Sequence, residues 1–423
     1  MDKMIVHGGR TLQGEVFISG SKNSALPILA ATLLTRDHCI IENVPDLSDI
    51  HYMLTILSML GCEVERASGV VQVKASHIKT EAPYEIVRKM RASVCILGPL
   101  LGREHAATVS LPGGCVIGDR PIDLHLRGFE ELGATVQVKG GDIHVLASHL
   151  QGATINLRGK YGPTVLGTGN IMMAAVLADG MTVIEGAAEE PEVIDLAEVL
   201  MKMGAKIHGV GTSRIVIEGV KELHGFTHTV IPDRIEAGTF LIAGAIAGKK
   251  LTVRHIIPKH LDALLRALQE AGFDLTSKKE SITITSNGPK KPLHIETLPF
   301  PGFATDLQAQ LCAMLSTIEG VSTMTEHIFP QRFMHLAELK RMGANIELNG
   351  ATATIIGVHQ LSGAPVMASD LRASAALVLA ALAADGPTEI SRVYHIDRGY
   401  EGIDKKLNKL GARIERVSPD ISF

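Results

Sequence analysis

The chain contains no tryptophan, and aromatic residues make up only 4% of its 423 positions. A core without large rings has to be built from aliphatic side chains and alanine, whose small volumes require backbones to approach closely. Cysteine is sparse and odd in number, at positions 39, 62, 95, 115 and 312, with no C-x-x-C pair. That argues against a disulfide framework or thiolate zinc site and predicts a reducing, cytoplasmic setting. Neither sign of charge is in surplus. Lys plus Arg number 41 and Asp plus Glu 45, giving a formal charge of −4. A protein that coats nucleic acid needs a basic excess to displace counterions, so no nucleic-acid partner is expected. Long apolar runs are missing as well. The stretch from Ala373 to Ala384 is among the longest and is too short to span a bilayer. The opening MDKMIVHGGR has no apolar segment of the signal-peptide kind, so no membrane partner is expected either. Neither G-x-x-x-x-G-K-[ST] nor H-E-x-x-H occurs, and the 18 histidines lack ligand spacing, which predicts no metal and no cofactor.

Hydrophobic residues, at 46%, are enough for a large core. They are arranged in a repeat. One phrase, an apolar residue followed by Gly, a small residue or Phe, one more residue and an aliphatic, recurs at Gly61, Gly133, Gly204, Gly272, Gly343 and Gly411. The spacings are 72, 71, 68, 71 and 68 residues. Each phrase reads as the end of an amphipathic helix, a left-handed glycine cap and the immediate start of a strand, usually of a hairpin. A second helix also recurs once per unit, at Ser24 to Leu34, Met90 to Leu101, Thr168 to Ala178, Ile235 to Ala247, Leu307 to Ile318 and Leu371 to Ala384. These segments carry few charges on any face and must be buried. The chain is therefore α/β, six units of about seventy residues divided three plus three, with a crossing near His228 to Pro232.

Three motifs sit where chemistry is expected. Ser21-Lys22-Asn23-Ser24 places a cation and an amide at a helix N-terminus, which already favours an anion. Leu111 to Pro121 contains three glycines around Cys115 and ends in Arg120, so its thiol is a candidate for proton transfer or nucleophilic attack. Phe300 to Gln308 opens the buried helix of the fifth unit, where Asp306 is either a cap or a catalytic carboxylate. Arg91, Arg234, Arg332, Arg372 and Arg398 stand at or near element starts and suggest a cleft for a small, highly charged anion.

These residues give the sequence its resemblance. Gly20 to Asn23, Met90 to Ser93, Gly113 to His125, Pro301 to Gln310, Arg332 to His335, Asp370 to Ser374 and Tyr394 to Tyr400 together resemble the UDP-N-acetylglucosamine 1-carboxyvinyltransferase family, the enolpyruvyl transferases that open bacterial peptidoglycan synthesis. The resemblance runs along essentially the whole chain. It implies a two-domain inside-out α/β barrel, each domain three repeated units around buried helices. The division it implies is residues 22–229 for one domain, with residues 1–21 and 230–423 forming the other.

The implied reaction moves the enolpyruvyl group of phosphoenolpyruvate to the 3′-hydroxyl of UDP-N-acetylglucosamine and releases phosphate. By resemblance, Cys115, Asp306, Lys22 and Arg398 are catalytic, Cys115 as the general acid that also forms a substrate adduct and is the target of fosfomycin. Binding of the two small-molecule substrates falls to Lys22, Asn23, Arg91, Arg120, Pro121, Ile122, Asp123, Leu124, Lys160, Thr164, Val165, Asp306, Ile328, Arg332, Asp370, Arg372 and Arg398. Thr164-Val165-Leu166-Gly167-Thr168 departs from the usual Ser-Val-Gly-Ala-Thr of the family, which leaves acceptor binding the least specified part. Two alternatives stand beside this one. A transferase for shikimate 3-phosphate shares the architecture but lacks the Gly-Gly-Cys loop, and a non-catalytic UDP-sugar-binding paralogue is favoured only by the altered segment. Nothing in the sequence specifies oligomeric state.

Overall fold

A computed structural model describes residues 2–82, 84–87, 90–111 and 122–418. The seventy-residue repeat is a strand, a buried helix, a parallel strand, an outer helix and a β-hairpin. In the fifth copy, strand His294–Thr297 leads through helix Gln308–Leu315 to strand Val321–Glu326, then through helix His335–Arg341 to Asn345–Asn349 and Thr352–Ile356. The first two strands pair in parallel, because a helix connects them, and the hairpin then adds antiparallel. Strands thus lie in the order first, second, fourth, third. Met324 faces Ala353 in the register, and both are fully buried against the helix. The sheet of Thr154–Asn156, Met181–Glu185, Lys206–His208 and Arg214–Glu218 repeats the pattern.

Two copies are completed by the chain's N-terminal residues. Leu12–Phe17 is the parallel edge strand beside Gly248–Arg254. Lys3–His7 lies between Pro387–Ser391 and Arg413–Val417. Similarly, Thr227–Thr229 pairs in parallel with His38–Glu42, far earlier in sequence. The contacts accordingly divide the chain into two compact units, one of residues up to Ser19 and from Pro232 onward, the other running between Gly20 and Ile231. Each has its own apolar core.

The six apolar segments are buried helices, some with a tighter first or last turn: Lys22–Ala31, Arg91–Ile96 continuing into Leu97–Glu104, Val165–Ala175, Arg234–Ala247, Gln308–Leu315 and Leu371–Ala383. Within each unit three of them pack together. Small residues permit this. A Cβ on Gly98 would lie 2.2 Å from the Asn170 carbonyl oxygen of the neighbouring helix. The six phrase glycines all have positive φ, between 88° and 107°, one residue beyond the last turn of an outer helix. There the chain reverses hand without the Cβ clash that penalises other residues.

Candidate functional site

In the later unit, two buried helices start with acidic residues as their N-caps. Asp233 accepts hydrogen bonds from the amides of Ile235 (2.7 Å) and Glu236 (3.0 Å), and Asp370 from those of Arg372 (2.9 Å) and Ala373 (3.1 Å). The third helix departs from this. Asp306 sits in the tight turn Thr305–Leu307 and caps nothing. Its carboxylate is gripped by two guanidiniums instead, Arg332 Nη1 at 2.7 Å on one oxygen and Arg372 Nη2 at 2.9 Å on the other. Burial alone would raise its pKa, but Arg372 and Arg332 together outweigh that and hold it well below the usual carboxylate range. Both arginines are themselves buried.

Side chains from these three helices meet around Tyr400. Its hydroxyl lies 3.0 Å from Thr239 Oγ1 and accepts from Gln310 Nε2 at 3.1 Å, while the Arg372 guanidinium stacks 5.4 Å from its ring centroid. Each helix start carries roughly half a positive charge, but Asp233 and Asp370 cap two of them and Asp306 pairs with both Arg332 and Arg372, so carboxylates already balance the positive charge gathered here. A buried carboxylate fixes the adjoining turn. Glu326, fully buried, accepts from Thr297 (2.7 Å), Thr305 (2.9 Å) and the amides of Ile328 and Phe329 (both 2.9 Å). This bends residues 326–332 so that Arg332 reaches Asp306, and it positions Ile328. Arg398 closes the turn Val393–Arg398, and its charge and that of Asp370 both bear on His395. His335, beside Asp370 and Arg332, is driven down to about 4 mainly by burial.

In the Gly20–Ile231 unit, Lys22 and Asn23 open helix Lys22–Ala31, and Lys22 Nζ lies 3.2 Å from Asp49, whose carboxylate is buried at the start of outer helix Ser48–Met59. Arg91 opens the turn Arg91–Ile96. Its charge, after burial, helps lower His125 to about 4. His125 Nδ1 lies 3.0 Å from Asn170 Nδ2, and Asn170 also accepts from the Gly98 amide at 2.8 Å. Ile122 precedes helix Asp123–Glu131, which carries Asp123 and Leu124. Leu124 packs against Gly159, next to the turn bearing Lys160. Thr164 caps helix Val165–Ala175 through the Gly167 amide at 3.2 Å. The altered segment therefore still begins a helix properly.

Cys115, Arg120 and Pro121 lie outside the described residues. The other four cysteines are buried, and desolvation raises the thiols of Cys39, Cys62 and Cys95 to about 12 and that of Cys312 further. Among the described residues no group of three or more His, Cys, Asp or Glu could hold a metal ion, and no helix is long and apolar enough to cross a membrane. Asp49 and Glu326, which brace candidate residues, and the buried amides Asn170 and Gln310 were not singled out from the sequence. For Asn170 and Gln310 a signal existed, a polar side chain inside an otherwise apolar helix.

Residues 6–407 match the family model described as EPSP synthase (3-phosphoshikimate 1-carboxyvinyltransferase). The chain is 57% identical over 417 residues to the UDP-N-acetylglucosamine 1-carboxyvinyltransferase of Methylacidiphilum infernorum, covering 99% of both chains. It is 56% identical over 423 residues to the protein of that name from Akkermansia muciniphila, covering 99% of this chain and 100% of the relative. Among solved structures it is similar to the enolpyruvyl transferase NikO from Streptomyces tendae, with TM-score 0.90 and 26% identity over 99% of each chain. It shares its fold with EPSP synthase from Acinetobacter baumannii, with TM-score 0.77 and 17% identity over 99% of this chain and 100% of that one.

Proposed function

This chain belongs to the enolpyruvyl (1-carboxyvinyl) transferases, and from that premise we propose that it transfers the enolpyruvyl group of phosphoenolpyruvate to the 3′-hydroxyl of UDP-N-acetylglucosamine with release of phosphate. The observation that carries this is the end-to-end similarity to relatives bearing that name, at 56–57% identity over 99% of the chain. On this reading the two compact units are the two barrel domains, with boundaries at Ser19/Gly20 and Ile231/Pro232.

The chemistry assigns a task to each residue. A proton from Cys115 to the methylene carbon of phosphoenolpyruvate leaves C2 electron-poor. The sugar hydroxyl oxygen then bonds to C2, and its proton passes to Asp306. Phosphate then leaves C2 with the proton held on Asp306, and a proton of the new methyl group returns to the Cys115 thiolate, which restores the double bond and the enzyme. Net, the hydroxyl proton leaves with phosphate. A thiol of unperturbed pKa about 8.5 is mostly protonated at neutral pH and can donate. Lys22, Arg120 and Arg398, with Arg91, Arg332 and Arg372, neutralise the phosphate and carboxylate and stabilise phosphate as it leaves. Asn23, Pro121, Ile122, Asp123, Leu124, Lys160, Thr164, Val165, Ile328 and Asp370 hold the sugar nucleotide.

Asp306 held between two guanidiniums is a weak base. It gains basicity as Arg332 and Arg372 turn towards the incoming anion, which couples proton removal to substrate binding. A phosphate-release assay tests the function. Release with phosphoenolpyruvate and UDP-N-acetylglucosamine, and none with shikimate 3-phosphate, is expected. The reverse preference overturns the acceptor assignment, and silence with both supports a binding protein.

A further inference from the structure

We propose that Asp195, oriented by His228, is a positioning residue that fixes the Lys22–Asn23 turn through Ser24 and Ile231. The consequence for turnover rests on the function proposed above. Asp195 lies on outer helix Pro191–Lys202 and is 2% exposed. One carboxylate oxygen accepts from the Ser24 hydroxyl and from the Ile231 amide at 3.4 Å. The other lies 2.8 Å from His228 Nε2. Lys202 Nζ is 2.8 Å from His228 Nδ1. An ammonium has only donors, so Nδ1 accepts, and Nε2 must carry the proton that His228 donates to Asp195. The lysine thereby sets the tautomer, and the buried carboxylate receives three donors.

These bonds close a ring around Lys22 and Asn23. Ser21, immediately before them, donates its amide to the Ile231 carbonyl at 2.7 Å. Ser24, immediately after them, is tied to Asp195, which also holds the Ile231 amide. Both ends of the Lys22–Asn23 pair are thus pinned to one anchor. A buried carboxylate is a costly group to use for simple packing, and such networks earn their place by selecting one arrangement. Ser24 and His228 are fully or nearly buried, so the Ser, His and Asp here do not form a nucleophilic site.

The test uses Ser24→Ala, which adds no volume and keeps a strong helix former, and Asp195→Asn. Backbone amide exchange of residues 21–25 is measured with the steady-state kinetics of phosphate release. Ser24→Ala is expected to raise exchange at these amides at least about tenfold while the thermal midpoint stays within about 4 °C of the parent. It is expected to lower kcat/KM for phosphoenolpyruvate about tenfold, yet by less than about twofold in a Lys22→Arg background, because both changes act through one side chain. Asp195→Asn should do the same, and adding Lys202→Met should restore part of the loss by freeing the His228 tautomer. Unchanged exchange, or an equal loss in the Lys22→Arg background, overturns the proposal. A parent protein that turns over nothing overturns the functional reading instead, and the exchange result still decides the positioning role.

Discussion

At the scale of single residues, the account depends on charge held at low dielectric. Asp306 is depressed, so its contribution to stability is fully present above its unfolded pKa of about 3.9 and is lost only as pH falls through the lower folded value. Loss of its charge leaves Arg372, 3% exposed, without its partner. Asp306→Asn should therefore lower kcat at least about 100-fold, as expected for loss of a general base. Asp306→Ala should also destabilise by about 3–5 kcal/mol, read by denaturant unfolding. Wild-type stability in the alanine variant would show that the ion pairs contribute nothing. The thiols differ just as sharply. Cys39, Cys62, Cys95 and Cys312 are buried and pushed towards high pKa, which makes them inert. One equivalent of fosfomycin, or of a maleimide, should label native protein at Cys115 alone, as peptide mass spectrometry would show. Cys115→Asp should resist the drug and retain turnover, since a carboxylic acid can still donate. Full inhibition of that variant would place the target elsewhere.

Elements are where the repeat acquires its physical meaning. The glycine phrases were readable because a helix that passes straight into a strand needs a left-handed residue, and all six glycines have that conformation. Their costs should still differ. At Gly343 an added Cβ meets open space, so Gly343→Ala carries only the backbone strain of about 1–2 kcal/mol. At Gly98 the added carbon would collide with the Asn170 carbonyl 2.2 Å away, and the buried helices must part. Gly98→Ala should cost more than Gly343→Ala, by about 1–3 kcal/mol of overpacking, in urea unfolding. Equal costs would contradict the close packing. Buried helices were legible for the complementary reason, since Leu371–Ala383 has no polar face to give water. Which helix start binds what was not legible. Asp233, Asp306 and Asp370 look alike in sequence, yet two cap helices and one pairs with arginines, a distinction set by residues 26 and 66 positions away.

For the whole molecule, sequence periodicity announced six units but not the sharing of strands among them. Lys3–His7 and Leu12–Phe17 complete sheets whose other strands lie beyond residue 247, and only the motif resemblance suggested that the first segment joins the later domain. In each unit a buried histidine is lowered by burial to about 4, His125 in one and His335 in the other. Both lie below their unfolded value of about 6.5, so the stability they lend is whole above pH 6.5 and is lost as pH falls towards 4, by about 3 kcal/mol each. The thermal midpoint should drop across that interval, and a flat profile would contradict the assignment. The central claim is the identity of the transferred group and its acceptor. The most direct measurement is NMR of the product formed when phosphoenolpyruvate, UDP-N-acetylglucosamine and shikimate 3-phosphate are offered together. The account predicts an enolpyruvyl ether on the 3′-oxygen of the UDP-sugar, with one phosphate released per ether formed and shikimate 3-phosphate untouched. An ether on shikimate 3-phosphate, or no ether at all, would contradict it.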